Sequence, residues 1–283
     1  MAEDQVTYTT DGAVARITLN RPEVFNALTD EMFDQIVAFV RQAEADDDVK
    51  CIVLAGAGRG FTAGFDLSSP DDFYGGAETK GGRFAIAGLR RRAWVMRDLL
   101  YSAKPIVARV HGPCIGAGLY LLLVCDFAVV SDDTTFGLPE ERFGSAGTSW
   151  LYPMLASQIG LKRTNELVVT GRKFDAAEAE RLGLVNRVVP RDDLDEAVGQ
   201  LTGALTSLPR DGIATGRAVA HLAYDMLGIG QAFTPHYGVH PLFVMGTRRS
   251  PDEFDFHETS REKGMKGALA ERDERFGGDY WGW

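Results

Sequence analysis

The chain has 283 residues, 45% of them apolar, with 40 acidic against 30 basic residues and a net charge of −10. That length buries a sizeable core in one large domain or one domain with an appendage, and the acidic balance argues against a nucleic-acid partner. No apolar run approaches the length of a membrane span and the N-terminus MAEDQVTYTTDG carries no apolar leader, so a soluble, cytoplasmic protein is expected.

In chain order, Val14 to Leu19 alternates as a strand after an Asp11-Gly12 turn, and Arg21-Pro22 ends it. Thr29-Asp30-Glu31 opens a helix whose apolar face is Met32, Phe33, Ile36, Val37, Val40 and Ala43. Cys51 to Ala55 is a buried strand that runs into the glycine-rich stretch Gly56 to Leu67. Its spacing fits neither the dinucleotide fingerprint nor the P-loop, so close backbone approach is the simpler reading. Ser68 to Arg83 is polar and glycine-rich, expected as a loop over a pocket. Phe84 to Leu100 follows as a helix with Arg90, Arg91 and Arg92 on a wet face.

Pro105 to His111 is a β-branched strand. Gly112 to Gly118 then supplies a tight turn and the start of an apolar helix. A helix start leaves backbone N–H groups without intrahelical partners and directs its positive dipole end outward. After a strand at Phe127 to Ser131, a loop brings Glu140 and Glu141. A helix start facing a loop carboxylate can stabilise an oxyanion while a base moves a proton. Helices are expected at 149–159, 161–169 and 176–182, the last capped by Asp175, then a strand at 184–189. Beyond it the pattern is helical: 194–205, 213–226 and 261–274. This change divides the chain at about residue 205, into 1–205 and 206–283. The stretch Phe233 to Phe256 fits no pattern. Cys51, Cys114 and Cys125 read as reduced core residues without metal-ligand spacing.

Five motifs in order, NRPEVFNALTDEM, GAGRGFTAGFDL, VHGPCIGAG, TTFGLPE and TGRKFDAAEAERLGLVNRVV, resemble the enoyl-CoA hydratase/isomerase (crotonase) family over roughly residues 12–190. The resemblance implies an α/β fold, a spiral of repeated ββα units with a helical C-terminal trimerisation region. It implies an acyl-CoA substrate and a homotrimer or dimer of trimers. RNA binding, known within the family, is disfavoured here by the acidic balance, and no membrane partner is expected from the apolar runs. Coenzyme A enters as part of the substrate, with no separate cofactor and no metal. It places the two oxyanion-holding N–H groups on Phe65 and Ala117 and the catalytic acid on Glu140. Substrate-binding positions fall on Asn26, Ala27, Leu28, Ala63, Gly64, Asp66, Leu67, Ser68, Gly116 and Tyr120.

The sequence departs from the family at the first acid of its two-carboxylate hydratases, where Tyr120 stands. It departs again at the PGxGGT segment, which here reads SAGTSW. A phenol near pKa 10 is a poor base at neutral pH, so Tyr120 is expected to line the pocket. Hydration of a 2-enoyl-CoA is the first expectation. The alternatives are Δ3-Δ2-enoyl-CoA isomerisation, an aromatic hydratase-lyase, which REKGMK near the C-terminus resembles, and a non-catalytic acyl-CoA binder. Glu141 is expected to face away and His111 to be structural. Arg109 is expected to pair with Asp126 or Asp66. His236, Tyr237 and His240 could face an acyl pocket or another subunit, and Leu222, Met226, Leu242 and Phe243 are expected to pack between subunits.

Overall fold

The computed structural model describes residues 4–68, 82–143, 150–234, 250 and 252–276. Strands β1 (Val6–Asp11) and β2 (Val14–Leu19) form an antiparallel hairpin, Asp11 opposite Val14, with Gly12 at φ +53° in the turn. The polar run VTYTTD hid β1 in the sequence, because its second half is exposed. Strands β3 (Cys51–Gly56), β4 (Ile106–Val110), β6 (Phe127–Ser131) and β9 (Arg187–Val189) extend the sheet in parallel, giving the order β1-β2-β3-β4-β6-β9. A second sheet holds β5 (Pro113–Ile115), β7 (Thr135–Gly137) and β8 (Phe174–Asp175), and Thr62 pairs with Cys114 at its edge. Successive passes of the chain thus place one strand in the large sheet and a short piece in the small one. Those short pieces carry the site motifs.

Nine α-helices lie among the described residues: α1 (Asp30–Ala45), α2 (Gly82–Leu100), α3 (Ala117–Val124), α4 (Leu151–Ile159), α5 (Leu161–Thr170), α6 (Ala176–Leu182), α7 (Leu194–Thr206), α8 (Arg210–Met226) and α9 (Phe256–Arg275). Thr29 caps α1 by accepting from Met32 N at 3.3 Å, and Asp175 caps α6 by accepting from Glu178 N at 2.8 Å. The middle strands are largely apolar because both their faces are covered. Ile52, Leu54, Ala108 and Val110 face the main core. Cys51, Val53, Val107 and Val129 face α7. The thiols are unpaired, those of Cys51 and Cys114 buried.

That alternation corrects the expected partner of Arg109. The residue lies on the α7 face of β4, so its guanidinium meets Asp195 at 2.7 and 2.9 Å and His111 Nδ1 at 3.1 Å. Asp126 instead pairs with the buried Arg217, and Asp66 with Arg21 at 2.8 Å. The arginine triplet of α2 is also less solvated than its polarity suggested. Arg91 bonds Asp34, and Arg92, mostly buried, bonds Asp30 at 2.8 Å. Ile229 and Phe233 pack in the main core, although they lie beyond the expected division at residue 205. Residues 69–81, the altered segment at 145–149, His236, Tyr237, His240, Leu242 and Phe243 lie outside the described residues.

Candidate active site

Residues 62–68 run alongside residues 25–28. Leu28 N donates to Gly64 O (2.8 Å), Asp66 N to Leu28 O (2.9 Å) and Ala63 N to Phe25 O (2.9 Å). Gly64 is at φ +95°, and a Cβ there would fall 2.7 Å from Ile115 O and 3.5 Å from Ala117 N. Only a glycine lets the two backbones approach this closely. The segment therefore brings Phe65 beside the start of α3. Gly116, at φ +52°, precedes that helix, and the Ala117 N–H sits in its first turn, where no intrahelical acceptor exists. Gly116 N is itself tied to Gly137 O at 2.8 Å.

The acid comes from the next pass of the chain. Glu140 opens a 3-10 turn, Glu140–Phe143, and a Cβ on Gly116 would lie 3.3 Å from its Oε1. The same oxygen accepts from the Tyr120 hydroxyl at 2.5 Å. The other oxygen, Oε2, is buried without a hydrogen-bond partner among the described residues. Burial pushes the carboxyl above the usual range, while the Tyr120 donation and the charge of Arg272 pull against it; the net direction is up. A buried carboxylate with one tethered and one unengaged oxygen suits proton transfer at a helix start.

Aromatic rings surround this pair. Phe65 lies 5.8 Å from Phe33 and 6.3 Å from Tyr120 between centroids. The Arg92 guanidinium sits 5.0 Å over the Phe65 ring. Tyr120 stands edge-on to Trp150 at 5.4 Å, and Trp150 stacks on Phe233 at 5.0 Å. Arg92, Trp150 and Phe233 were missed from sequence, since nothing in their local patterns separates a packed ring or cation from an ordinary one.

The other expected residues are placed unequally. Ala63 and Ser68 are exposed, and Leu67 is half-buried. Asp66 is held by Arg21 and accepts from Ser68 N at 2.9 Å, contacts that bring its carboxyl below the usual range despite some burial. Arg21 also donates to Ala27 O at 2.7 Å. Asn26 departs from its expected substrate contact. It is fully buried at φ +54°, and its Nδ2 donates to Ala57 O, Gly60 O and Phe61 O at 2.8, 2.9 and 3.1 Å. Its Oδ1 accepts from Arg21 N at 2.8 Å. With its side chain engaged inside the fold, Asn26 pins the glycine-rich loop. Tyr120 is a buried partner of the acid, more than a lining ring. No group of residues able to hold a metal ion occurs among those described.

A family model described as Enoyl-CoA hydratase/isomerase matches residues 9–230. The chain belongs to the enoyl-CoA hydratase/isomerase family, and its fold is the crotonase fold. It is 37% identical over 204 residues, 70% of this chain and 74% of the other, to a Rhizobium meliloti protein named as a probable enoyl-CoA hydratase. It is 33% identical over 197 residues, 66% of this chain and 69% of the other, to a mevalonyl-coenzyme A hydratase of Beauveria bassiana. A solved enoyl-CoA hydratase/isomerase from Xanthobacter autotrophicus superposes with a TM-score of 0.86 at 32% identity, covering 96% of this chain and 98% of that one.

Proposed function

We propose that the protein is an acyl-CoA enzyme that hydrates a 2-enoyl-CoA. The observation that carries this reading is the buried Glu140 carboxylate beside Gly116, next to the start of α3. The thioester oxygen is held by the N–H groups of Phe65 and Ala117, where the helix end favours negative charge. Glu140 takes a proton from water as the water oxygen bonds to the β-carbon. The electron pair of the C=C bond moves onto the thioester as an enolate. Return of the proton from Glu140 to the α-carbon gives the 3-hydroxyacyl-CoA, and atoms and charge balance. Ala27, Leu28, Ala63, Gly64, Leu67 and Ser68 form the coenzyme A approach in this reading, and no metal or further cofactor takes part. Relatives named as a probable enoyl-CoA hydratase and as a mevalonyl-coenzyme A hydratase support the same reaction class.

A second reading, movement of a double bond between the 3 and 2 positions, is favoured by Tyr120 at the place of a second carboxylate. One carboxylate that removes a proton at one carbon and returns it at another suffices for that reaction.

Incubation with a panel of 2-enoyl-CoA and 3-enoyl-CoA thioesters, with product analysis by mass and chromatography, separates the readings. Formation of 3-hydroxyacyl-CoA from the 2-enoyl series, unaffected by EDTA, is expected. Interconversion without a gain of water selects the isomerase. Binding without turnover of any thioester, including an aromatic one, defines a binder.

A further inference from the structure

Helix α9 departs from a straight rod. Gly264 sits at φ +70°, ψ 169°, a backbone region reserved for glycine. Phe256 and Arg272 are sixteen positions apart, which a straight helix would separate by roughly 24 Å. Both nevertheless lie against one ring. Phe256 meets Phe143 edge-on at 4.5 Å between centroids, and the Arg272 guanidinium lies 4.9 Å from the centroid of Phe143. The segment is therefore a helical hairpin reversing at Gly264. Its arms touch at Gly267, where a Cβ would fall 2.6 Å from Lys263 Cβ. Lys263 Nζ bonds Glu271 at 2.7 Å beside that point.

The gripped ring belongs to the turn that Glu140 opens. Leu67, from the segment carrying Phe65, packs on the same cluster with Met265 and Leu269. One hairpin thus holds both halves of the site from outside. We propose that residues 256–275 are a clamp that positions Glu140, and that Arg272 is its positioning residue, acting through the Phe143 ring and through its own charge. This rests on the assignment of Glu140 as the proton-transfer group.

Arg272 is 6% exposed and bonds Asp273 at 2.6 Å. The ionisable groups on the elements around Glu140 are Tyr120 of α3, Glu141 and Arg142 of its own turn, Arg272 of the hairpin with Asp273 bonded to it, and Lys173, which lies 3.9 Å from Asp273. Of these, Tyr120 by hydrogen bond and Arg272 by charge favour the ionised carboxylate against its burial.

The test is the pH profile of kcat/KM for the full chain and for Arg272→Gln, Arg272→Lys and Gly264→Ala, with Glu140→Gln as reference. A Cβ at Gly264 meets open space, so that variant disturbs the reversal and no neighbouring contact. The acidic limb is expected to move to higher pH in Arg272→Gln and to return in Arg272→Lys. In Gly264→Ala kcat is expected to fall several-fold with KM nearly unchanged, and the limb to rise. An unmoved limb in folded Arg272→Gln overturns the proposal. If that variant does not fold, a wild-type profile and kcat in Gly264→Ala overturn it instead. Should Glu140→Gln itself retain full turnover, the reading of Glu140 fails, and the clamp with it.

Discussion

The Tyr120 hydroxyl donates to Glu140 Oε1 at 2.5 Å, joining a residue of α3 to a residue of the next pass of the chain. This bond makes the phenol a support of the acid. Positioned acid–base groups contribute roughly 10²–10⁴-fold, so Glu140→Gln is expected to lower kcat by about that factor with coenzyme A affinity nearly intact. Tyr120→Phe removes a hydrogen bond to a charged group, worth about 1.5–3 kcal/mol. It should cost about 10- to 100-fold in kcat and shift the acidic limb to higher pH, because the bond favours the carboxylate. Steady-state kinetics across pH checks both. Equal losses in the two variants would make the phenol a proton carrier in its own right.

Asn26 supplies donors to three carbonyls of the glycine-rich loop. Asn26→Ala leaves those carbonyls short of partners and should destabilise the fold by about 2–4 kcal/mol. Asn26→Asp should be no better, since a carboxylate cannot donate. Denaturant melts read the loss, and wild-type stability in either variant would contradict the pinning role.

His111 carries a pH dependence whose direction follows from its neighbours. Gly58 O can only accept from Nε2 (3.0 Å) and Arg109 Nη1 can only donate to Nδ1 (3.1 Å), so the ring is neutral. Burial first, then the charges of Arg191 and Arg109, hold its pKa below the ordinary 6.5. Below that ordinary value the unfolded chain takes up a proton before the folded chain does. Stability is therefore complete above it and declines as pH falls through the folded value. His221, also lowered, acts in the same direction. Thermal melts should show Tm falling on acidification, less steeply in His111→Gln. Identical slopes would remove His111 from the account.

Assembly is expected through α8. Val219, Leu222, Met226 and Leu227 are 68%, 60%, 81% and 70% exposed in the single chain, and they follow one side of the helix and its end. Light scattering should report a trimer or a dimer of trimers, and Leu222→Glu with Met226→Glu should give smaller species. A wild-type monomer at micromolar concentration would refute the interface.

What could be read from the sequence was local or carried by motifs. The buried strands and α1 follow from their periodicity and from the Thr29 cap. The order of five motifs led to the fold family. The missing parts depend on chain distance. The Arg109–Asp195 bond spans 86 positions, and no local pattern selects Asp195 over Asp126. The reversal at Gly264 sits inside REKGMK, which by propensity alone continues as helix. The engagement of Asn26 with three carbonyls depends on a loop fold that spacing does not encode. Tyr120 was placed near the site by motif position, while its bond to Glu140 required the geometry of two passes of the chain.

The close approach at Gly64 has a consequence for how such a chain can change its substrate. With Ile115 O where a Cβ would need to be, the distance between Phe65 and the start of α3 is set by backbone against backbone. Side-chain replacement has little leverage on it. The rings of Phe65 and Trp150 can vary independently of that spacing, so selection can reshape the aromatic side of the site while the separation of the two backbones stays fixed.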